Sequence, residues 1–438
     1  MVARQRVSLR AIACNRAEEI GFSRWLCNAA VTVAALQRHL VERGRRVARG
    51  AGHVLALQDT TEINFQAHAG RVHGLGKVGN GTDVGLFLHA VLAVGADTGH
   101  CLGLAGVLPW VRTRRKEDGY KALPIEQKES YRWLEGAEVA HKALSTADHV
   151  TVVADRESDI FEAFARIPRP GLDLLARVGR DRALAGGGRL FATVAAFPAH
   201  LGLTVAVRAD KRIARTNRIA RLEVRFGPVT VRRPPYRSEG TDPPEVALWA
   251  VSAEELPDPG VPEHQRIRWL LLTSHRIETA EAAQQAINWY RQRWHVEQLF
   301  RTLKSQGLDT EAAQAEEGQS LLKLAVLATH VATRVMQMVN ARDGTDPQPA
   351  ERAFDPDEIT VLHRLQPRLE GKTVKQKNPH PPDTLAWATW IIARLGGWKG
   401  YRSERPPGPV TLSRGYHRFA AIHEGFFLAQ TESDLCKP

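Results

Sequence analysis

The chain has 438 residues and a net charge of +12 at pH 7, with 60 lysines and arginines against 48 acidic residues. That length allows two or three domains with sizeable cores. The basic balance favours a polyanionic partner such as nucleic acid, although a solvated basic surface would give the same count. No run of 18 apolar residues is present, which excludes a transmembrane helix and leads us to expect no membrane contact. The four cysteines are scattered and form no C-x-x-C pair, which argues against a zinc ribbon or disulfide framework and favours a cytoplasmic location: Cys14, Cys27, Cys101 and Cys436.

The first half of the chain predicts helices followed by an α/β pattern. Residues 1–50 read as basic helices. VLALQD (Val54–Asp59) and HVTVVAD (His149–Asp155) each predict a buried strand that ends in an aspartate. Between them lie a glycine-rich loop at 73–85, two strands in LFLHAVLAV and CLGLAGVLPW, and a helix at 124–144. With a further strand at Leu172–Val178, the order β, β, β, α, β, α, β is the plan of an RNase H-like α/β domain.

The second half changes character twice. Between 184 and 275, arginine, glycine, proline and alternating β patterns dominate, which predicts a mostly antiparallel β-rich insertion. Helical patterns resume at Thr279–Gly307, Leu321–Asn340 and Thr384–Leu395. We therefore divide the chain into four regions, at 1–50, at 51–183 together with 276–320, at 184–275 and at 321–438.

The segment Thr279–Gly307 is the most informative part of the sequence. Tyr290, Arg293, Glu297 and Lys304 are spaced by three, four and seven residues. On one continuous helix these spacings place all four on a stripe about 60° wide, with Arg301 beside it. A carboxylate among cations on one stripe suggests a place where a metal ion and a phosphate meet.

Three carboxylates in this pattern could serve one metal centre. Asp59 and Asp155 end apolar strands, and Glu297 lies on the predicted stripe. Mg²⁺ and Mn²⁺ prefer oxygen ligands, and a pair of such ions can activate an attacking oxygen and stabilise a leaving oxygen in phosphodiester chemistry. Either aspartate alone is better explained as the first residue of a turn. The three together favour the metal centre.

These motifs resemble a known family, the bacterial cut-and-paste transposases of the DDE class, in the insertion-sequence group marked by a Y-R-E-K signature. The resemblance is carried by LALQDTT around Asp59, VVADRESDIF around Asp155, RWLLLTS around Trp269 and Y-x2-R-x3-E-x6-K from Tyr290 to Lys304. It implies an α/β fold, an RNase H-like mixed sheet with helices, interrupted by a β-rich insertion and followed by a helical C-terminal region. Residues 1–50 would be a shortened DNA-binding region, and 321–438 would mediate dimerisation.

The resemblance also implies roles for individual residues. Asp59, Asp155 and Glu297 match the catalytic triad that binds two Mg²⁺ ions, with Mn²⁺ able to replace them. The matching phosphate contacts are Tyr290, Arg293 and Lys304, with Arg301 and Arg177 beside them. Trp269 matches a ring that stacks on a base flipped out of a DNA hairpin, and Trp294 matches a second aromatic near that base. Packing in the core is the alternative role for both tryptophans.

Such an enzyme cuts and joins double-stranded transposon ends and target DNA, through a hairpin intermediate, as a homodimer on paired ends. It needs no nucleotide cofactor, and the glycine-rich segment is not a G-x-x-x-x-G-K-[ST] loop. No histidine pair has the H-E-x-x-H spacing, so the sequence predicts no histidine metal site.

Two alternatives stay open at the level of sequence. Only 58 residues precede Asp59, which is short for the family's end-binding region. The chain could therefore be an N-terminally truncated, non-catalytic inhibitor or DNA-binding regulator of transposition. An RNase H-like nuclease without strand transfer is the other alternative. We expect the protein to be cytoplasmic and associated with the nucleoid.

Overall fold

The computed structural model of the protein describes residues 7–13, 15–79, 81–112, 120, 123–207, 216–235, 242–304, 308–345, 348–401 and 404–435. The chain forms two compact units. The first unit comprises Met1–Arg49, Thr60–Arg115 and His295–Pro438, and the second comprises Gly50–Asp59 and Lys116–Trp294.

The secondary structure elements are numbered in chain order. The strands are β1 (His53–Asn64), β2 (Gly76–Val78), β3 (Asp83–Gly95), β4 (Cys101–Trp110), β5 (His149–Ala154), β6 (Leu172–Arg177), β7 (Ala199–Val207), β8 (Arg218–Arg232), β9 (Glu245–Glu255) and β10 (Arg268–Thr273). The helices are α1 (Leu9–Ile12), α2 (Arg16–Cys27), α3 (Val33–Ala48), α4 (Arg132–Ala143), α5 (Phe161–Arg166), α6 (Leu190–Ala195), α7 (Ala280–Arg291), α8 (Trp294–Lys304), α9 (Gly318–Ala341), α10 (Pro356–Leu369), α11 (Leu385–Leu395) and α12 (Pro409–Leu435).

The second unit is built on a mixed sheet with the strand order β1-β5-β6-β10-β9-β8-β7. The pairs β1–β5 and β5–β6 are parallel, and every later pair in this order is antiparallel. Strand β5 is buried from Val150 to Ala154, as expected for a parallel strand with both faces covered. Helix α7 packs against this sheet. The predicted α/β class is confirmed, and the mixed sheet with helices is consistent with the RNase H-like plan expected from the sequence.

The first unit combines a small antiparallel sheet with most of the helices. Strands β2 and β4 both pair with β3. Helices α9 to α12 pack around large side chains that are almost fully buried, among them Trp387, Phe354 and Phe419. The helical C-terminal region predicted from sequence is thus confirmed.

No helix in the described parts of the chain is long and apolar enough to cross a membrane.

Strand β1 is longer than the sequence predicted. The expected strand ended at Asp59, but the extended conformation continues to Asn64. Thr60, Thr61 and Ile63 favour this conformation because their branched Cβ atoms fit an extended, half-buried backbone. Asp59 therefore lies inside a strand, and the prediction that the strand ends at this residue was wrong.

A half-buried histidine in the first unit makes folding sensitive to acid. Burial, together with the positive charges of Arg43 and Arg334, lowers the pKa of His330 from 6.5 to about 4. The unfolded chain therefore binds a proton at this ring before the folded chain does. The stability that depends on neutral His330 is fully present above pH 6.5, and it is lost as the pH falls from 6.5 towards 4.

Between pH 7 and pH 4, we expect the unfolding free energy of the wild type to fall by roughly 3 kcal/mol more than that of His330→Gln. Urea denaturation at several pH values measures the difference. His264→Gln, which changes an exposed histidine of the second unit, is the control. Parallel stability curves for the wild type and His330→Gln would contradict the assignment.

Candidate active site

The parallel strands of the second unit bring three predicted site residues to equivalent positions. The last registered pair of β1 and β5 is Leu57 with Val153, so Asp59 and Asp155 each lie two residues further along. The next strand pairs Ala154 with Ala176, which places Arg177 beside Asp155. Neighbouring strands lie about 4.8 Å apart. Two acids and one arginine therefore form a row across three strands, with their side chains on one face of the sheet.

The turn after β5 fixes the direction of Asp155. Its carboxylate accepts a hydrogen bond from the backbone N–H of Glu157 at 2.8 Å. The Ser158 hydroxyl donates to the backbone carbonyl of Asp155 at 2.7 Å. Asp155 thus ends the strand, as predicted, and one of its carboxylate oxygens keeps no bond to this turn.

Asp59 forms an ion pair with Arg293. The distance from Arg293 Nη1 to Asp59 Oδ2 is 2.5 Å, and each side chain is 18% exposed. Such a partly buried pair is stronger than a surface pair because water screens it less. Arg293, which the resemblance assigns to a phosphate, here pairs with Asp59, which the resemblance assigns to the metal centre.

The predicted single helix from Thr279 to Gly307 was wrong. Helix α7 ends at Arg291, and α8 begins at Trp294. In the turn between them, the N–H groups of Gln292 and Arg293 donate to carbonyls three residues earlier, at 3.1 Å each. This tighter turn changes the angle between successive residues, so the stripe calculated from Tyr290 to Lys304 does not hold across it. Residues 305–307 lie outside the described residues.

Trp269, Tyr290 and Arg177 are close neighbours in the second unit. The rings of Trp269 and Tyr290 meet edge to face with centroids 5.7 Å apart, and Tyr290 is only 5% exposed. Arg177 donates a hydrogen bond to the carbonyl of Arg268 at 2.8 Å. Burial lowers the pKa of Arg177, and the nearby Tyr290 opposes this effect. Trp269 remains partly exposed.

The remaining predicted residues lie on α8. Trp294 is its first residue and is half-buried. Glu297 and Arg301 are exposed, and Lys304 lies 3.9 Å from Glu311 in the first unit. Because Glu297 belongs to the first unit and the two aspartates to the second, the catalytic triad stays a prediction.

The sequence reasoning missed one buried residue near this site. Asp159 lies four residues after Asp155 in the same VVADRESDIF motif. Its carboxylate pairs with Arg182 and accepts the backbone N–H groups of Gly179 and Arg180 at 3.0 Å each. It thereby holds the loop that leaves β6 directly after Arg177. The signal in the sequence was a second aspartate within the motif, with no apolar pattern to mark it as buried.

Residues 135–333 match the family model described as the transposase DDE domain. The match supports a DDE transposase. The matched segment contains Asp155, Arg177, Trp269, Tyr290, Arg293 and Glu297, whereas Asp59 precedes it. It supports DNA cleavage and strand transfer in general, in insertion-sequence transposition and recombination, with divalent metal ions as the cofactors used by such domains.

The ion pair of Asp159 with Arg182 should be essential for the stability of the second unit. Their side chains are 1% and 7% exposed. Asp159→Asn leaves the guanidinium buried without a counter-charge, and we expect a loss of about 3–5 kcal/mol in unfolding free energy. Urea denaturation provides the measurement. Adding Arg182→Met to Asp159→Asn should restore part of the loss, and an unchanged midpoint for the single variant would contradict this role.

Proposed function

We propose that the protein is a DNA transposase of the Y-R-E-K insertion-sequence group, which cuts and joins transposon ends by two-metal phosphoryl transfer. The observation that carries this proposal is the row of Asp59, Asp155 and Arg177 at the ends of the parallel strands. Asp59 and Asp155, together with Glu297, are the proposed catalytic carboxylates. The family match to the transposase DDE domain supports the same chemistry.

The carboxylates of the row are suitable ligands for the divalent metal ion that the proposed chemistry uses. Adjacent carboxylates supply oxygen donors of the kind that Mg²⁺ and Mn²⁺ prefer. Asp59, Asp155 and Glu297 would hold two Mg²⁺ ions, or Mn²⁺ in their place. When bound, these ions activate the attacking oxygen and stabilise the leaving oxygen of the phosphodiester.

Arg293 has a specific task in this proposal. Its guanidinium compensates the charge of Asp59 when no cation is bound, at the observed distance of 2.5 Å. A cation held by Asp59 would replace this compensation, and the guanidinium of Arg293 would then be able to bind a phosphate oxygen of DNA. Guanidinium groups suit this exchange because the same planar fork binds carboxylate and phosphate.

Other basic and aromatic side chains would position the DNA. Arg177, Lys304 and Arg301 are the proposed phosphate contacts, and Tyr290 supports both Arg177 and Trp269. Trp269 stacks on a flipped base when the 3′-OH of the nicked strand attacks the opposite strand and forms a hairpin. Trp294 would lie near that base. A second water then opens the hairpin, and the free 3′-OH attacks the target DNA.

The proposed partners follow from this activity. The substrates are double-stranded transposon ends and target DNA, bound by a homodimer on paired ends without a nucleotide cofactor. Residues 1–50 would contribute to end binding and 321–438 to dimerisation. The protein would act in the cytoplasm, associated with the nucleoid.

The proposal is tested with purified protein, Mg²⁺ and a duplex carrying the inverted repeats that flank the gene. We expect Asp155→Asn and Glu297→Gln to reduce cleavage by more than about 100-fold, because losing a metal ligand costs more than losing the groups that orient one. DNA binding should remain. Glu281→Gln, an exposed carboxylate on α7, is the matched control. Cleavage by either triad variant at the wild-type rate would refute the assignment.

The same assay separates the alternative functions. A nuclease without strand transfer would cut the ends but would not join pre-cut ends to target DNA. A non-catalytic regulator would bind the ends, cut neither strand and inhibit an active transposase added to the mixture.

The role of Trp269 predicts a selective defect. Stacking of a base on an aromatic ring contributes about 1–3 kcal/mol, so Trp269→Ala should slow hairpin formation by roughly 5- to 150-fold. The first nick should proceed at the wild-type rate. Trp269→Phe should retain most of the activity, and Trp249→Ala on β9 serves as control. Denaturing gels of end-labelled duplex resolve the nick from the hairpin, and an equal loss of both products would argue for a packing role.

A further inference from the structure

The second unit contains a cluster of histidines at the opposite end of the same strands. His53 and His149 are the first residues of β1 and β5 and are paired in register, and His275 follows the end of β10. Six residues separate His53 from Asp59, which corresponds to about 20 Å along a strand. We propose that His53, His149 and His275, together with Asp173, form a binding site for a transition-metal ion of the zinc class. The site is independent of the proposed transposase chemistry.

The ligand atoms are close enough to share an ion. One nitrogen from each of the three rings lies within 4.8 Å of the others. Asp173 Oδ2 lies 2.8 Å from His149 Nε2 and 3.7 Å from His275 Nδ1. Tetrahedral zinc with bonds of about 2.0–2.1 Å needs ligand separations of about 3.3 Å. Small rotations of the side chains therefore complete a coordination shell of three imidazoles and one carboxylate.

The chemistry of these donors selects the class of metal. Imidazole suits zinc, copper, nickel and cobalt, whereas Mg²⁺ and Ca²⁺ prefer oxygen. The carboxylate of Asp173 places a negative charge beside the three imidazoles, which attracts a cation.

The hydrogen bonds of the cluster join Thr151 to the rings of His53 and His275. The Thr151 hydroxyl lies 2.7 Å from Nε2 of both His53 and His275. Because it has a single hydrogen, it donates to one ring and accepts from the other, which fixes opposite tautomers in the two rings. Nε2 of His149 is buried and, despite its short distance to Asp173, forms no aligned hydrogen bond within the described residues. A metal ion would use this nitrogen.

The surroundings of the cluster resemble those of a structural metal site. The Trp289 ring packs on His53 and His275, with centroids 4.8 and 4.9 Å away. The Ser274 hydroxyl donates to Asp173 Oδ1 at 2.5 Å and orients this carboxylate. An apolar wall and a hydrogen-bonded carboxylate are the features that usually hold metal ligands in place. The ion would join the starts of β1 and β5 to β6 and to the connection between β10 and α7.

The test uses the full-length protein, stripped of metal with a chelator and titrated calorimetrically with Zn²⁺ in excess Mg²⁺. We expect one Zn²⁺ per chain, visible absorption from Co²⁺ in a tetrahedral field, and a higher melting temperature with Zn²⁺. His149→Ala and His275→Gln should each weaken Zn²⁺ binding by more than about 100-fold. His264→Ala, which changes an exposed histidine elsewhere in the unit, should bind normally.

Two outcomes would overturn the site. Wild-type protein that binds no stoichiometric Zn²⁺ would show that the cluster is only a hydrogen-bonded network. Equal Zn²⁺ affinity in the wild type and both histidine variants would place the metal elsewhere. Circular dichroism verifies that each variant is folded. Because Asp155→Asn should bind Zn²⁺ normally, a failure of the transposase proposal and a failure of this one remain distinguishable.

Discussion

The parallel pairing of β1, β5 and β6 is the constraint on which the rest of the second unit depends. Its register determines which side chains are neighbours, since residues two apart on a strand share one face. Along β5 the residues of that face run from His149 through Thr151 and Val153 to Asp155. The polar side chains thus lie towards the two ends of this face, with Val153 between Thr151 and Asp155, and α7 contacts both β5 and β6.

The balance of charge explains why the row of acids can exist before any cation binds. Adjacent carboxylates repel each other, and a nearby cation relieves the repulsion. Arg293 pairs with Asp59 on one side, and Arg177 occupies the position beside Asp155 on the other. The same arginines are suited to phosphate. The positive groups that stabilise the acids in the free protein are therefore the groups that a DNA backbone can recruit.

Much of this arrangement could be predicted from the sequence, and the exceptions have physical causes. The apolar run before Asp155 predicted a buried strand that ends in this acid, and the α/β class followed from the order of such runs. The break after α7 was not predictable, because Arg293 sits in a turn that is paired with a residue more than two hundred positions away. The histidine cluster was invisible for a related reason. Its members come from β1, β5 and the connection after β10, and no local spacing joins them.

The length of β5 has a consequence for how this protein can vary. An even number of positions separates His149 from Asp155, so both side chains project from the same face. If one residue were inserted or deleted between His149 and Asp155, one of these two side chains would point to the opposite face of the sheet. Substitutions among Val150, Val152 and Val153 leave this relation intact. Related chains should therefore exchange apolar residues freely within this strand while keeping its number of residues constant.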